Sequence, residues 1–147
     1  AGELGRTLGV FHRLGSTLDP STLADTLPGF HQTPAYLQLY DRVKAAAGTS
    51  NNGPQTEYCH AFIGKRRAMT TILEDARPRL RHQVIHGDPK VANFLFNPDG
   101  DRVISLIDLD TVKPGLLLHD IGDALRSCCN PAGETAQRPD SAFFDPR

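Results

Sequence analysis

Three clusters of polar residues in the second half of the chain have types and spacings that could do chemistry. The first is His-Gly-Asp-Pro-Lys-Val-Ala-Asn, residues 86–93. The second is Ile-Asp-Leu-Asp, residues 107–110, at the end of an apolar run, and the third is His-Asp-Ile-Gly-Asp, residues 119–123. Carboxylates, an amide and a lysine at this spacing are the groups that hold a divalent cation and handle a phosphoryl group.

The first two clusters together offer ligands for a hard metal ion. Side chains alternate along a strand, so a strand that ends in Asp-Leu-Asp places Asp108 and Asp110 on one face, where both can offer oxygen to Mg²⁺. Asp88 and Asn93 lie five residues apart across a tight loop, where one can hold a nucleophile's proton while the other offers an amide oxygen to the metal. Lys90 adds a mobile positive charge that suits a phosphoryl group.

Short β elements are expected to position these clusters. Residues 84–85 are a short apolar pair that leads into the first cluster, and residues 94–96 predict a second strand. Residues 97–101 have the composition of a turn. Residues 103–107 predict a third strand, almost wholly apolar and therefore expected to be buried on both faces. Residues 120–129 predict a helix.

The first part of the chain predicts mainly helix. Apolar residues recur at helical spacing near the start and predict an amphipathic helix that ends near Gly15. These apolar residues are Leu4, Leu8, Phe11 and Leu14. Residues 16–34 contain three prolines and several Ser, Thr and Asp, which predict a loop. Residues 35–47 return to helix.

A second helical segment follows a strong helix breaker. Residues 49–54, Thr-Ser-Asn-Asn-Gly-Pro, predict a loop. Residues 57–80 predict one long helix, which Pro78 should kink or end. The residues of this helix that we expect to be buried are Tyr58, Phe62, Met69 and Leu73.

The composition is that of an ordinary globular protein. The 147 residues include 39% apolar and 22% charged residues, with a formal net charge of −1. This length predicts a single domain over residues 1–147. The near-neutral charge predicts no nucleic-acid or membrane partner, and the apolar runs are far shorter than the roughly 18 residues of a membrane span. No secretory leader pattern is visible.

The cysteines favour a reducing compartment. There are three, Cys59, Cys128 and Cys129, and an odd number with two adjacent residues is a poor disulfide framework. Their spacing is also not that of a metal-binding finger. We therefore expect a cytoplasmic protein, with Cys128 and Cys129 as small buried side chains on a helix.

The order of these clusters resembles a kinase. His-x-Asp-x-x-x-x-Asn over residues 86–93, followed by a strand that ends in Asp108, is similar to the catalytic loop and metal-binding Asp of protein kinases. Gly87 replaces the usual Arg, and Ile-Asp-Leu-Asp replaces Asp-Phe-Gly; both departures resemble the aminoglycoside phosphotransferase and choline kinase superfamily. Residues 107–127 look most like N-acetylhexosamine 1-kinases. The resemblance is sharp over residues 84–130, the expected catalytic core.

The resemblance implies a role for each residue of the first two clusters. Asp88 would be the catalytic base that takes a proton from a sugar hydroxyl, with ATP as the phosphoryl donor. Asn93 and Asp108 would hold Mg²⁺ against the ATP phosphates, with help from Asp110. His86 would brace the loop, and Lys90 would neutralise charge on the transferring group. The catalytic residues that the resemblance implies are therefore Asp88, His86 and Lys90.

The resemblance also implies a fold, the mostly helical C-terminal lobe of a protein-kinase-like α+β fold with short β elements around the catalytic loop. The N-terminal lobe that covers the nucleotide is expected to be absent: Gly2, Gly5 and Gly9 lie on a helix, and no lysine has a Val-Ala-x-Lys setting. The start at Ala1 and the uncovered Phe143-Phe144 pair suit a fragment. We expect such a chain to be inactive by itself.

Two other functions remain open from the sequence. A non-catalytic kinase-like remnant would keep the fold and bind a partner or ligand. A metal-dependent phosphohydrolase would use Asp108 and Asp110 with further ligands, for which only Asp120 and Asp123 are candidates. Asp120 also stands where a helix N-cap is expected, and that structural role is the interpretation we favour for it. The oligomeric state is not indicated by any pattern.

Overall fold

The computed structural model describes residues 2–48, 53–134 and 143–145. Within these ranges the chain is α+β, as predicted, with five α-helices and four short strands in two antiparallel sheets. The chain divides into two compact units, Ala1–Pro28 with Arg81–Arg147, and Gly29–Leu80. None of the described helices is both long enough and apolar enough to span a membrane.

The first helix supplies the core of the first unit. Helix α1 (Gly2–Gly15) covers the predicted segment, and Leu4 and Leu8, one turn apart, are buried together with Phe94. Burial of each leucine contributes on the order of 2 kcal/mol. The apolar stripe stops before Leu14, which is 63% exposed because the helix ends at the next residue.

Two antiparallel pairs of strands frame the first polar cluster. Strand β1 (His82–Ile85) pairs with β4 (Lys113–Leu116), and β2 (Phe94–Phe96) pairs with β3 (Val103–Leu106). The predicted turn at residues 97–101 joins β2 to β3, with Asn97 accepting and donating hydrogen bonds across it. The sequence did not predict β4, because a Lys-Pro-Gly-Leu segment has little strand propensity. Its extended conformation is instead stabilised by pairing with β1.

The prediction that residues 103–107 are buried on both faces is wrong. Ile104 is 64% exposed, and Val103 and Leu106 are only half-buried where they pack on the cluster of Leu4, Leu8 and Phe94. A two-stranded sheet packed on one side leaves its other face open. The apolar run therefore reflects strand propensity as well as burial.

The last helix, α5 (Leu117–Cys128), begins three residues earlier than predicted. It starts directly where β4 ends, so Asp120 lies inside its first turn rather than at its N-cap. The cysteine prediction is confirmed only in part, since Cys129 is buried but follows the last residue of α5, and Cys128, on the helix, is half-buried. Burial raises the pKa of the Cys128 thiol, with the neighbouring Cys129 as a second cause.

The second unit consists of three helices, α2 (Thr33–Ala47), α3 (Pro54–Arg66) and α4 (Ile72–Ala76). The helix predicted over residues 35–47 is confirmed as α2. The helix breaker predicted at residues 49–54 lies mostly outside the described residues, which resume at Gly53. Pro at the first or second position starts both α2 and α3, where its missing N–H has no helical partner to lose.

The prediction of one long helix over residues 57–80 is wrong. Arg66 leaves helical geometry (φ −111°, ψ 5°), and a 3-10 turn over Arg67–Met69 separates α3 from α4. The guanidinium of Arg67 pairs with the carboxylate of Asp41 on α2, a long-range contact that fixes the chain at the break. Pro78 does end the helical segment, within a 3-10 turn over Arg77–Arg79.

The expected buried face of this segment is also wrong. Tyr58, Phe62 and Met69 are exposed, and Leu73 is half-buried. The guanidinium of Arg66 lies 3.5 Å from the centre of the Phe62 ring, so part of the apolar surface is covered by a cation instead of a core. Apolar spacing on a helix predicts burial only where another element packs on it.

Candidate active site

The loop between β1 and β2 is anchored by His86, whose side chain is fully buried. Its Nδ1 accepts a hydrogen bond from the backbone N–H of Asp88 at 3.3 Å, and its Nε2 lies 3.0 Å from the backbone oxygen of Ile107. Because Nδ1 accepts, Nε2 carries the proton and donates to that oxygen. The ring of Phe11 packs edge-on against the imidazole. His86 thus ties the loop to the segment that follows β3.

A second anchor is Asp120, which is 1% exposed in the first turn of α5. Its Oδ2 accepts from the backbone N–H of His86 and its Oδ1 accepts from the backbone N–H of Gly87, both at 2.8 Å. Hydrogen bonds to a charged acceptor are stronger than neutral ones. The interpretation of Asp120 as an N-cap is therefore wrong: its carboxylate caps the loop, across 34 residues of chain, and not its own helix.

Helix α1 reaches the same carboxylate through His12. The Nε2 of His12 lies 2.7 Å from Oδ2 of Asp120, with the His12 side chain 11% exposed and the Asp120 side chain fully buried. A buried carboxylate is costly unless hydrogen bonds satisfy it, and this one has three donors. Three elements, α1, α5 and the loop after β1, are thereby joined at one group.

Gly87 allows the loop to approach the turn after β3. It has a φ of +87°, and a Cβ at this position would lie 2.5 Å from the backbone oxygen of Thr111. The hydroxyl of Thr111 donates to the backbone oxygen of His86 at 2.7 Å. Only glycine meets both demands, so the glycine in the first cluster is fixed by the contact between the two loops.

Lys90 brings the two carboxylates of the site together. Its ammonium lies 2.5 Å from Oδ2 of Asp88 and 3.9 Å from Oδ2 of Asp108. The hydrogen bond to Asp88 raises the pKa of Lys90, and the charges of Asp88, Asp108 and Glu134 add to this effect. The side chains of Asp88 and Asp108 are 22% and 44% exposed, so both remain open to solvent.

Asn93 is held with its amide nitrogen turned to the loop. Asn93 is 4% exposed, and its Nδ2 donates to the backbone oxygen of Asp88 at 2.8 Å. A longer contact of 3.4 Å joins Nδ2 to Oδ2 of Asp88. The backbone oxygen of Asn93 accepts from the N–H of Ile107, which precedes Asp108. With Nδ2 engaged by Asp88, the amide oxygen is the Asn93 atom suited to a metal.

Asp108 and Asp110 are not on one face of a strand, so that prediction is wrong. Strand β3 ends at Leu106, Asp108 has left-handed backbone geometry (φ 65°, ψ 60°), and a 3-10 turn follows over Leu109–Thr111. The backbone oxygen of Asp110 accepts from the Thr26 hydroxyl at 2.8 Å. Among the described residues, the Asp110 carboxylate makes no ion pair with Lys90, unlike Asp88 and Asp108.

Four residues that position the loop were not recognised as such from the sequence: His12, Thr111, Asp120 and Ser127. Ser127, 5% exposed on α5, accepts from the backbone N–H of Val91 at 3.0 Å. Each contact joins residues more than 20 positions apart, which spacing along the chain does not reveal. The one sequence feature that could have pointed to Asp120 is an acid surrounded by apolar residues early in a helix.

An oxygen-rich site of this composition suits Mg²⁺. Mg²⁺ is bound in proteins through one or two oxygen ligands together with phosphates and waters, and Asp108 and Asn93 supply that number. Within the described ranges, no group of three or more His, Cys, Asp or Glu side chains is arranged to hold a metal by itself. The site therefore fits a cation that arrives with a phosphate ligand better than one held by the protein alone.

The comparison with protein families agrees with this geometry. The model of the phosphotransferase enzyme family (APH) matches residues 1–143, nearly the whole chain. The chain therefore belongs to the phosphotransferase enzyme family. The resemblance to aminoglycoside phosphotransferases and choline kinases is confirmed at this level, and the α+β architecture is that expected of a kinase-like chain.

Proposed function

We propose that the protein is an ATP- and Mg²⁺-dependent kinase that transfers the γ-phosphoryl group to a hydroxyl of a small molecule. The observation that carries this proposal is the meeting of Asp88, Lys90, Asn93 and Asp108 at one solvent-accessible site. Family membership supports phosphotransfer in general. The donor, the metal and the acceptor are inferred from the chemistry of this site.

Asp88 is the proposed catalytic base. Its Oδ2 accepts from Lys90 and lies near the amide of Asn93, whereas no described residue donates to its Oδ1. A hydroxyl of the acceptor can bind at Oδ1 and be oriented toward the phosphoryl group. Phosphoryl transfer depends mostly on such positioning and on electrostatic stabilisation, so a base with one oxygen fixed and one available suits it.

Asn93 and Asp108 are the proposed metal ligands. Bound Mg²⁺ would supply charge neutralisation and orientation to the donor phosphates. The hydrogen bond from the Ile107 N–H to the backbone oxygen of Asn93 keeps the segments that carry Asn93 and Asp108 side by side before the metal binds. Lys90, next to both carboxylates, can turn to the transferring phosphoryl group and neutralise its charge. Asp110 remains a candidate for an assisting role through water.

An apolar surface beside the metal ligands supports a nucleotide as donor. Leu95 is paired with Ser105 across the β2–β3 ladder, and Ile107 lies one residue beyond the end of β3, where its N–H donates to the backbone oxygen of Asn93. Leu95 and Ile107 are 43% and 36% exposed. A flat purine ring can lie on this surface while its phosphates extend to Asn93 and Asp108.

The acceptor proposed is a sugar or amino sugar. The support is the resemblance of residues 107–127 to N-acetylhexosamine 1-kinases; other small alcohols fit the same base. We also propose that this chain alone has negligible turnover, because the described residues include no glycine-rich strand hairpin and no lysine of the sequence has a Val-Ala-x-Lys setting that would cover the phosphates. A robust rate that depends on Asp88, from this polypeptide alone, would contradict that part of the proposal.

The phosphohydrolase alternative has little support from the site. Both oxygens of Asp120, one of its candidate extra ligands, are engaged by the backbone of the loop, and Oδ1 of the other, Asp123, pairs with Arg126 at 2.8 Å. A non-catalytic remnant would keep this geometry without binding a metal–nucleotide complex. Binding of Mg²⁺·ATP therefore distinguishes the kinase from both alternatives.

The test is calorimetric titration of Mg²⁺·ATP into the wild type and two variants. We expect Asp108→Asn to weaken binding by about tenfold or more, because a ligand charge is lost, and Asp110→Asn to weaken it much less. The two substitutions are matched, since both remove one exposed carboxylate from neighbouring positions. Equal affinities for the wild type and Asp108→Asn would contradict the proposed function.

A further inference from the structure

The ammonium of Lys90 lies where a cation shared by Asp88 and Asp108 would lie. It contacts Oδ2 of Asp88 at 2.5 Å and is 3.9 Å from Oδ2 of Asp108, so one positive charge serves two carboxylates from different loops. The carboxylate of Glu134 adds to the negative surroundings of this ammonium. Without this positive charge, the carboxylates of Asp88 and Asp108 would repel one another.

Two other cations of the same unit, Arg126 and Lys113, are engaged by other partners. The guanidinium of Arg126 pairs with Asp123 at 2.8 Å and with Glu134 at 2.7 Å. The ammonium of Lys113 is bonded to Asp25 and to the backbone oxygen of Leu27. In the part of the chain that the structure describes, Lys90 is thus the cation that contacts both Asp88 and Asp108.

We propose that Lys90 is an internal counter-ion that keeps a free divalent cation off Asp108 until the nucleotide arrives. The inference rests on the proposed function and extends it, since it states how the site discriminates a bare metal from a metal–nucleotide complex. The triphosphate offers the Lys90 ammonium a stronger anionic partner. When the ammonium moves to the triphosphate, the Asp108 carboxylate becomes available to the metal. Metal binding and nucleotide binding are then coupled through one side chain.

The size of the effect follows from the distance. A like charge about 4 Å from a ligand oxygen opposes a divalent cation strongly when solvent is excluded and weakly when it is not. Asp108 and Lys90 are partly exposed, so screening leaves a moderate effect. Removal of the Lys90 charge is expected to strengthen the binding of a divalent cation, without nucleotide, by on the order of tenfold.

The experiment is a titration of the nucleotide-free chain with Mn²⁺ alone, with the free ion measured by electron paramagnetic resonance. Mn²⁺ prefers the same oxygen ligands as Mg²⁺. Lys90→Met and Lys90→Gln should each bind Mn²⁺ about tenfold more tightly than the wild type, whereas Lys90→Arg, which keeps the charge, should stay close to it. Lys65→Met, an equal loss of charge on the exposed end of α3, is the control for net charge.

Two results would overturn the inference, and they differ in what else they overturn. If Asp108→Asn weakens Mn²⁺·ATP binding but Lys90→Met and Lys90→Gln bind Mn²⁺ no more tightly than the wild type, the counter-ion role is wrong and the proposed function stands. If Mn²⁺ affinity is the same in Lys90→Met and in the Lys90→Met, Asp108→Asn double variant, the metal does not bind at Asp108. That outcome overturns the inference and the assignment of the metal site together.

Discussion

The two compact units of this chain differ in which side chains they bury and which they expose. In the unit that contains the candidate site, several charged and polar groups are buried, and Asp120 is held there by three donors. In the unit Gly29–Leu80, no residue of the helices α2 to α4 is fully buried, and large apolar side chains such as Tyr58 and Met69 face solvent. The first unit is held together around its loop, whereas the second unit consists of helices without a fully buried residue.

This difference between the units indicates which positions tolerate substitution. A residue that binds a loop from a distant helix must have one chemical type and one position, whereas an exposed aromatic on a helix can change freely. The conformation of the catalytic loop is therefore the property that the first unit maintains. Substitutions of the same kind in the two units should have unequal effects on stability.

The largest expected effect is that of Asp120→Asn. The amide nitrogen would face a backbone N–H or His12, which leaves a buried donor without an acceptor and removes charge-assisted bonds. We expect a loss of about 4 kcal/mol in the free energy of unfolding, measured by urea titration. The matched control is Asp41→Asn in the second unit, which removes an exposed ion pair with Arg67 and should change stability far less. Equal losses of unfolding free energy in Asp120→Asn and Asp41→Asn would contradict the difference proposed between the two units.

A smaller effect is expected for glycines with left-handed backbone geometry. Gly87→Ala and Gly29→Ala have nearly the same φ, +87° and +85°, so both incur a backbone cost of about 1 kcal/mol. The Cβ at residue 87 also meets the backbone oxygen of Thr111 at 2.5 Å, whereas none is near residue 29. We expect Gly87→Ala to lose about 3 kcal/mol in total by thermal or urea unfolding. A Gly29→Ala loss as large as that would show that the close contact does not matter.

The sequence predicted the chemical groups of the site better than the elements around them. Asp88, Lys90 and Asn93 were identified because their close spacing within one loop survives any arrangement of the rest of the chain, and Asp108 because it follows an apolar run predicted to be a strand. The structure brings these four residues together. Their proposed roles remain predictions that the experiments above test.

The supporting residues could not be predicted for a physical reason. The contact between His12 and Asp120 spans 108 positions, and the pairing of β1 with β4 depends on residues 82–85 meeting residues 113–116. Such contacts follow from the whole packing arrangement and leave no local pattern. The long helix expected over residues 57–80 failed for the same reason, since its break involves Asp41 on another helix.

The most direct test of the central claim is where Mn²⁺·ATP binds. Paramagnetic Mn²⁺ broadens the nuclear magnetic resonance signals of nearby amides, so a titration with Mn²⁺·ATP maps the metal on the assigned chain. The account predicts that the amides of Asn93 and Asp108 broaden at the lowest concentrations of Mn²⁺·ATP. Broadening that begins at other residues and leaves Asn93 and Asp108 unaffected would contradict their assignment as the metal–nucleotide site.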